Sequence, residues 1–122
     1  MQKVNLKKYY NETYSREKYP YGLKPNSAVK DLLKFVSRGT VLDLGAGYGK
    51  DSLYLASKGF KVFALDFSPV AIRQLKELAK KLKIRIDVRS INILKAKWPR
   101  GANIFIDIYT MHHFPDRIGR NY

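Results

Sequence analysis

A chain of 122 residues, 45% of them hydrophobic, can fill the core of one domain but not of two. It contains no cysteine, which excludes disulfides and thiolate metal sites, and no apolar run nears the roughly 18 residues of a membrane span. The 24 Lys+Arg against 10 Asp+Glu give a net charge of +14, a balance that attracts phosphate backbones and other anionic surfaces. Weak nucleic-acid binding is one expectation from this charge. A merely lysine-rich surface is the other, since the lysines are spread along the chain rather than gathered in one block. The polar start "MQKVNLKKYYNETYSREK" has no signal-peptide core, so a cytoplasmic protein without membrane association is expected.

Residues 1–25 are rich in Lys and Tyr and are punctuated at their end by Pro20, Gly22 and Pro25. They read as a basic, aromatic arm, followed by a domain over 26–122. Asn26 or Ser27 can cap a helix whose apolar positions Ala28, Val29, Leu32, Leu33 and Val36 keep close to the 3.6 period. Gly39 ends it, and "TVLDL" (40–44) reads as a buried strand from its continuous apolar character. A glycine turn follows, then a helix over about 50–58 stopped by Gly59. "KVFALD" (61–66) is a second strand. Ser68 caps the next helix, Pro69 takes its first position, and Val70, Ile72, Leu75, Leu78, Ala79 and Leu82 form its apolar stripe. "IRIDV" (84–88) alternates as a third strand and "NIFIDIYT" (103–110) is a fourth. Strands alternating with helices predict an α/β fold: a Rossmann-like parallel sheet with flanking helices and right-handed crossovers.

In such a sheet a ligand sits at the carboxyl ends of the strands. Gly45, Gly47 and Gly49 follow the first strand directly, where the missing β-carbons let the backbone bend and come close to a ligand. The next helix points its unpaired N–H groups and positive dipole end at the same spot. Asp66 ends the second strand, and a carboxylate there can accept hydrogen bonds from both ribose hydroxyls. The dinucleotide fingerprint G-x-G-x-x-G is not met, because the third glycine comes one residue early and Lys50 stands where that fingerprint has Gly. Asp43, two residues before the first glycine, would sit awkwardly beside a pyrophosphate but suits a ligand carrying an ammonium. A nicotinamide cofactor is therefore disfavoured, and a purely structural glycine turn is the remaining alternative.

"VLDLGAGYG" with "ALDFSPVAI" resembles the class I S-adenosylmethionine-dependent methyltransferases, and "YGLKPNSAVKDLL" ahead of it is similar to their small tellurite-resistance-type subgroup. The resemblance covers most of residues 20–114 and implies S-adenosylmethionine as cofactor. It implies that Asp43 and the loop of Gly45, Ala46, Gly47 and Gly49 hold the methionine portion. By the same resemblance Asp66 holds the ribose and Phe67 flanks the adenine. The family carries an Asp near the adenine amine at the end of the third strand; here Ser90 stands there, followed by Ile91, whose backbone can still contact the base. A second departure is Asn103, where the family has an Asp. Lys24 in the arm could reach the cofactor carboxylate, and the arm tyrosines Tyr9, Tyr10, Tyr14, Tyr19 and Tyr21 could fold over the cofactor as a lid or stack on bases.

Methyl transfer is an in-line displacement at a sulfonium, so orientation and a dry pocket matter more than acid–base groups. Where the acceptor must lose a proton, Tyr109, His112 and His113 at the end of the fourth strand are the candidate bases. The two histidines lack a third ligand at a recognisable spacing, and no metal site is expected. Members of the family carry further strands beyond the fourth, so by resemblance the chain is the cofactor half of the fold, truncated after that strand. The bare fourth strand would offer Ile104, Phe105, Ile106, Ile108 and Tyr109 as an edge, and a homo-oligomer formed through it is expected. Three readings stay open: a methyltransferase of unidentified acceptor, a non-catalytic binder of the same cofactor, and a basic RNA-associated module on that scaffold.

Overall fold

The computed structural model describes residues 22–90 and 99–107, together with Lys8, Asn11, Glu12, Ser15, Arg16 and Tyr19. In chain order the elements are α1 (Ser27–Leu32), β1 (Thr40–Leu44), α2 (Lys50–Ser57), β2 (Lys61–Asp66), α3 (Pro69–Leu82), β3 (Asp87–Ser90) and β4 (Ile104–Asp107). All pairings are parallel and the strand order is β3-β2-β1-β4, the arrangement expected from the alternation of elements.

Local chemistry accounts for most boundaries. Asn26 caps α1 by accepting the Ala28 N–H at 2.9 Å. That helix is shorter than its apolar pattern predicts. After Leu32 the chain tightens into turns, with the Lys34 N–H donating to Asp31 and the Phe35 N–H to Leu32. Those turns bring Val36 against the core and leave Phe35 in solvent. Ser68 accepts the Ala71 N–H at 3.2 Å and Pro69 takes the first position of α3, as predicted. The far end closes on Lys83 in the left-handed conformation (φ 56°), with the Ile84 N–H donating to Ala79 at 2.9 Å.

The third strand begins later than expected, at Asp87 rather than at residue 84. Ile84 and Ile86 do alternate inward and pack on the α3 side of the core, but they do so on the approach from the helix end. The ladder itself starts where Asp87 comes level with Phe63. An alternating pattern reports burial, and hydrogen bonding began only after the chain had crossed from α3 to the sheet. The fourth strand covers 104–107 of the 103–110 expected; positions 108–110 lie outside the described residues. The expected bare edge also needs correction. Ile106 is buried and Ile104 half-buried, both packed with Val29, Val41, Leu55, Phe60 and Val62, whereas Phe105 on the opposite face is 60% exposed.

Alternation along β1 and β2 sorts the core into two faces. Val41, Val62 and Ala64 meet the helices, with Leu53 and Leu55 of α2 and Ala71, Leu75, Leu78 and Ala79 of α3. Leu42, Leu44, Phe63 and Leu65 form a separate cluster on the other face. Both faces of the central strands are buried, which is why both read as continuous apolar runs. Asp43 and Asp66 belong to the helix-covered face, and their burial is the exception on which the site is built.

Candidate functional site

The loop 45–49 leaves β1 with Gly45, Gly47 and Gly49 at φ 73°, 61° and 84°. Side chains rarely adopt these values, so glycine at all three positions is a backbone requirement. The loop folds across the end of β2: the Gly45 and Ala46 N–H groups both donate to the Leu65 carbonyl at 2.9 Å. Gly49 caps α2 without a side chain, leaving the first-turn N–H groups of that helix for another acceptor. It also lies so close to α3 that a β-carbon there would overlap Leu75.

Asp66 is buried beneath this loop. Its Oδ2 accepts the Gly47 N–H and its Oδ1 the Ser68 N–H, each at 2.8 Å. The carboxylate thus ties the glycine loop to the start of α3. Burial pushes its pKa up, while the N–H groups of Ser68, Gly47 and Phe67 pull in the opposite direction. Asp43 is buried one strand away, its Oδ2 accepting the Ser52 hydroxyl at 2.5 Å. Burial pushes the Asp43 carboxyl up to about 7; Ser52 and Lys50 oppose this, and the negative charges of Asp51 and Asp66 add to it. The third acid, Asp51, accepts the Asn26 N–H at 2.6 Å and pairs with Lys50 Nζ at 3.1 Å.

The arm reaches the same end of the sheet. Tyr48 lies inside the glycine loop and is buried; its hydroxyl donates to the Gly22 carbonyl at 2.6 Å, and its ring meets Tyr19 at 5.3 Å between centroids. Ser68 Oγ, besides capping α3, donates to Asn11 Oδ1 at 2.5 Å. Contacts at Tyr48, Asp51 and Ser68 therefore hold Asn11, Tyr19, Gly22 and the start of α1 over the carboxyl ends of β1 and β2.

The structure brings together Asp43, Gly45, Ala46, Gly47, Gly49 and Asp66, with Phe67 half-buried beside them. Ser90 lies level with Asp66 on β3 and is exposed. Lys24 is exposed. Asn103 brackets the opposite end of the sheet, exchanging bonds with Thr40 through its side-chain oxygen at 2.9 Å and its N–H at 3.0 Å, so it is remote from the site. Ile91, Tyr109, His112 and His113 lie outside the described residues. Among the described residues no cluster of three His, Asp or Glu could hold a metal ion, and no helix is long and apolar enough to cross a membrane.

Sequence reasoning missed Tyr48, Asp51 and Ser52. An acid in the first turn of a helix reads as a partner for the helix dipole, yet Asp51 reaches back to the backbone before α1. Ser52 could have been suspected from its place on the inward side of α2, beside Leu53 and Leu55, where a hydroxyl needs a partner.

The family model described as "Tellurite resistance protein TehB" matches residues 4–118. The chain belongs to the TehB family. "Hemagglutinin 1" of Eikenella corrodens is 35% identical over 69 residues, covering 55% of this chain and 23% of that protein. The "Probable S-adenosyl-L-methionine-dependent methyltransferase TehB" of Haemophilus influenzae (strain 10810) is 37% identical over 70 residues, covering 53% and 24%. The match thus spans about a quarter of each relative's length. A protein solved in work on the conversion of a disulfide bond into a thioacetal group during echinomycin biosynthesis superposes with a TM-score of 0.80 at 29% identity. That alignment takes in 93% of this chain and 51% of the other. The TehB resemblance read from the glycine loop and the "YGLKPNSAVKDLL" stretch is borne out, as is the Rossmann-like methyltransferase fold.

Proposed function

We propose that this chain binds S-adenosylmethionine and serves methyl transfer, as an S-adenosylmethionine-dependent methyltransferase or its cofactor-binding part. The observation that carries the reading is a glycine loop with three positive φ angles held between two buried strand-end carboxylates, Asp43 and Asp66. That donor set fits the cofactor. Asp43 faces an ammonium, the uncapped N–H groups of α2 face a carboxylate, and Asp66 faces the ribose hydroxyls. The same reading lays Phe67 against the adenine, with Ser90 and the backbone of Ile91 at its edge. It assigns residues 1–25 to a covering arm and 26–122 to the cofactor domain. The cofactor, when bound, supplies a methyl group activated on a sulfonium. The chain's part is to orient that group and exclude water, which the contacts of Tyr19 and Gly22 with Tyr48 support. Tyr109, His112 and His113 are the proposed proton acceptors for an acceptor that must be deprotonated.

The test is calorimetry with S-adenosylmethionine on the wild type and Asp66→Ala. Losing charge-assisted bonds of about 1.5–3 kcal/mol each should weaken binding at least tenfold. The melting temperature is read alongside, because Asp66 also holds Gly47 and Ser68. Unchanged affinity in a folded Asp66→Ala variant would refute the ribose role.

A second reading, an RNA-associated module, is favoured by the outward side of α3. Arg73, Lys76, Lys80 and Lys81 are exposed there beside one acid, Glu77, with Lys83 and Arg85 exposed just past its end, and none of the six forms an ion pair among the described residues. Weak binding to single-stranded RNA that falls steeply with salt would support it. We further propose a homo-oligomer through the β4 edge, supported by the exposure of Phe105, and a cytoplasmic location.

A further inference from the structure

Three carboxylates are buried around the glycine loop, and their neighbours do not compensate them equally. Asp66 receives the backbone N–H groups of Gly47 and Ser68 at 2.8 Å and that of Phe67 besides. Asp51 receives the Asn26 N–H at 2.6 Å and the Lys50 ammonium at 3.1 Å. Asp43 receives one neutral hydroxyl, that of the fully buried Ser52. The groups facing Asp43 are Lys50, Asp51 and Ser52 from α2 and Asp66 from β2; from β4, Ile106 lies level with it. The one lysine in the set is bonded to Asp51. A buried anion needs a counter-charge or several donors, and of the three acids Asp43 has the least of either.

We propose that Ser52 is a positioning residue which, by holding Asp43, tunes the site to exchange a proton for the cationic end of its ligand. In the ligand-free protein, burial with a single neutral hydroxyl as partner favours the protonated form of Asp43. An ammonium arriving beside it supplies the missing counter-charge, the O–H bond of Asp43 breaks, and the proton leaves to solvent as the ion pair forms. The hydroxyl of Ser52 favours the charged form and keeps the exchange within the neutral range. The inference rests on the S-adenosylmethionine reading for the identity of the cation, but its protein half can be observed without any ligand.

Carboxyl-carbon NMR of the free 122-residue chain should show Asp43 titrating near neutrality. Ser52→Ala should move its midpoint upward by roughly one pH unit, and Ser52→Thr, which keeps the hydroxyl, should restore it. A purely packing role for Ser52 would leave the midpoint in place. Calorimetry with S-adenosylmethionine in two buffers of different ionisation enthalpy should then show a net release of protons on binding near neutral pH. Release should rise in Ser52→Ala and vanish in Asp43→Asn. An Asp43 midpoint in the ordinary carboxylate range, a midpoint unmoved by Ser52→Ala, or binding without proton release overturns the proposal. No S-adenosylmethionine binding at any pH overturns the cofactor reading and the exchange with it; the free-protein titration tells that failure from the others.

Discussion

β1 and β2 are buried on both faces, from Val41 to Leu44 and from Val62 to Asp66, whereas β3 is exposed or half-buried throughout and β4 buries only Ile106. The glycine loop and both strand-end carboxylates hang on the central pair. Among the described residues the third strand brings exposed Ser90 to that end of the sheet, and β4 presents Phe105 to solvent. The glycine loop and the buried carboxylates are thus anchored where packing is tightest, and exposed apolar surface lies at the β4 edge. A close-packed two-strand centre can hold loop geometry firmly because its side chains cannot move independently.

The comparison can be broken most severely at Gly49. Gly49→Ala combines a left-handed φ with overlap onto Leu75, a core residue of α3. A loss of about 2–5 kcal/mol is expected, read by denaturant unfolding. A loss under half a kcal/mol would show that the loop and α3 are not rigidly joined.

Next comes Asp43→Asn, which removes a buried charge from the centre. Burial raises the carboxyl from its ordinary 3.8 to about 7, so the folded protein binds more protons than the unfolded chain between those limits. This group therefore favours folding below about pH 4, and its stability is lost as pH rises toward 7. Asp43→Asn should accordingly gain stability over the wild type increasingly from pH 4 to 7 and then level off, at up to about 4 kcal/mol. Thermal melts across that range decide it, and a gap independent of pH would contradict the protonation argument.

Ser68→Ala should cost about 1 kcal/mol, since the hydroxyl caps α3 and also holds Asn11. Limited proteolysis should then cut the arm faster than in the wild type; unchanged cleavage would mean Asn11 is held by other contacts. The smallest expected effect is at the edge. Phe105→Lys should alter stability by less than about 0.5 kcal/mol while abolishing self-association in sedimentation. A folded wild-type monomer at micromolar concentration would refute the proposed homo-oligomer itself.

The centre was also the legible part of the sequence. Continuous apolar runs, the three glycines and the Ser68-Pro69 pair each impose a local backbone state, so β1, β2, the loop and α3 follow from composition within a few residues. The edges were less legible. Ile84 and Ile86 show where the chain turns inward and cannot show where ladder bonds begin, and at Phe105 an apolar residue faces solvent. At the site, Asp43 and Asp66 announced themselves as acids at the ends of apolar strands. Ser52, Asp51 and Tyr48 did not, because their partners (Asp43, the Asn26 N–H and the Gly22 carbonyl) are set by how α2 and the arm fold back. Such contacts depend on tertiary geometry that no local spacing encodes.

The central claim is that the loop between Asp43 and Asp66 receives an adenosyl cofactor bearing an ammonium rather than a dinucleotide. Parallel calorimetric titrations of the 122-residue chain with S-adenosylmethionine, S-adenosylhomocysteine and NAD test it most directly. Saturable one-to-one binding of both adenosyl compounds and none of NAD is expected. Binding of NAD with neither adenosyl compound would contradict it.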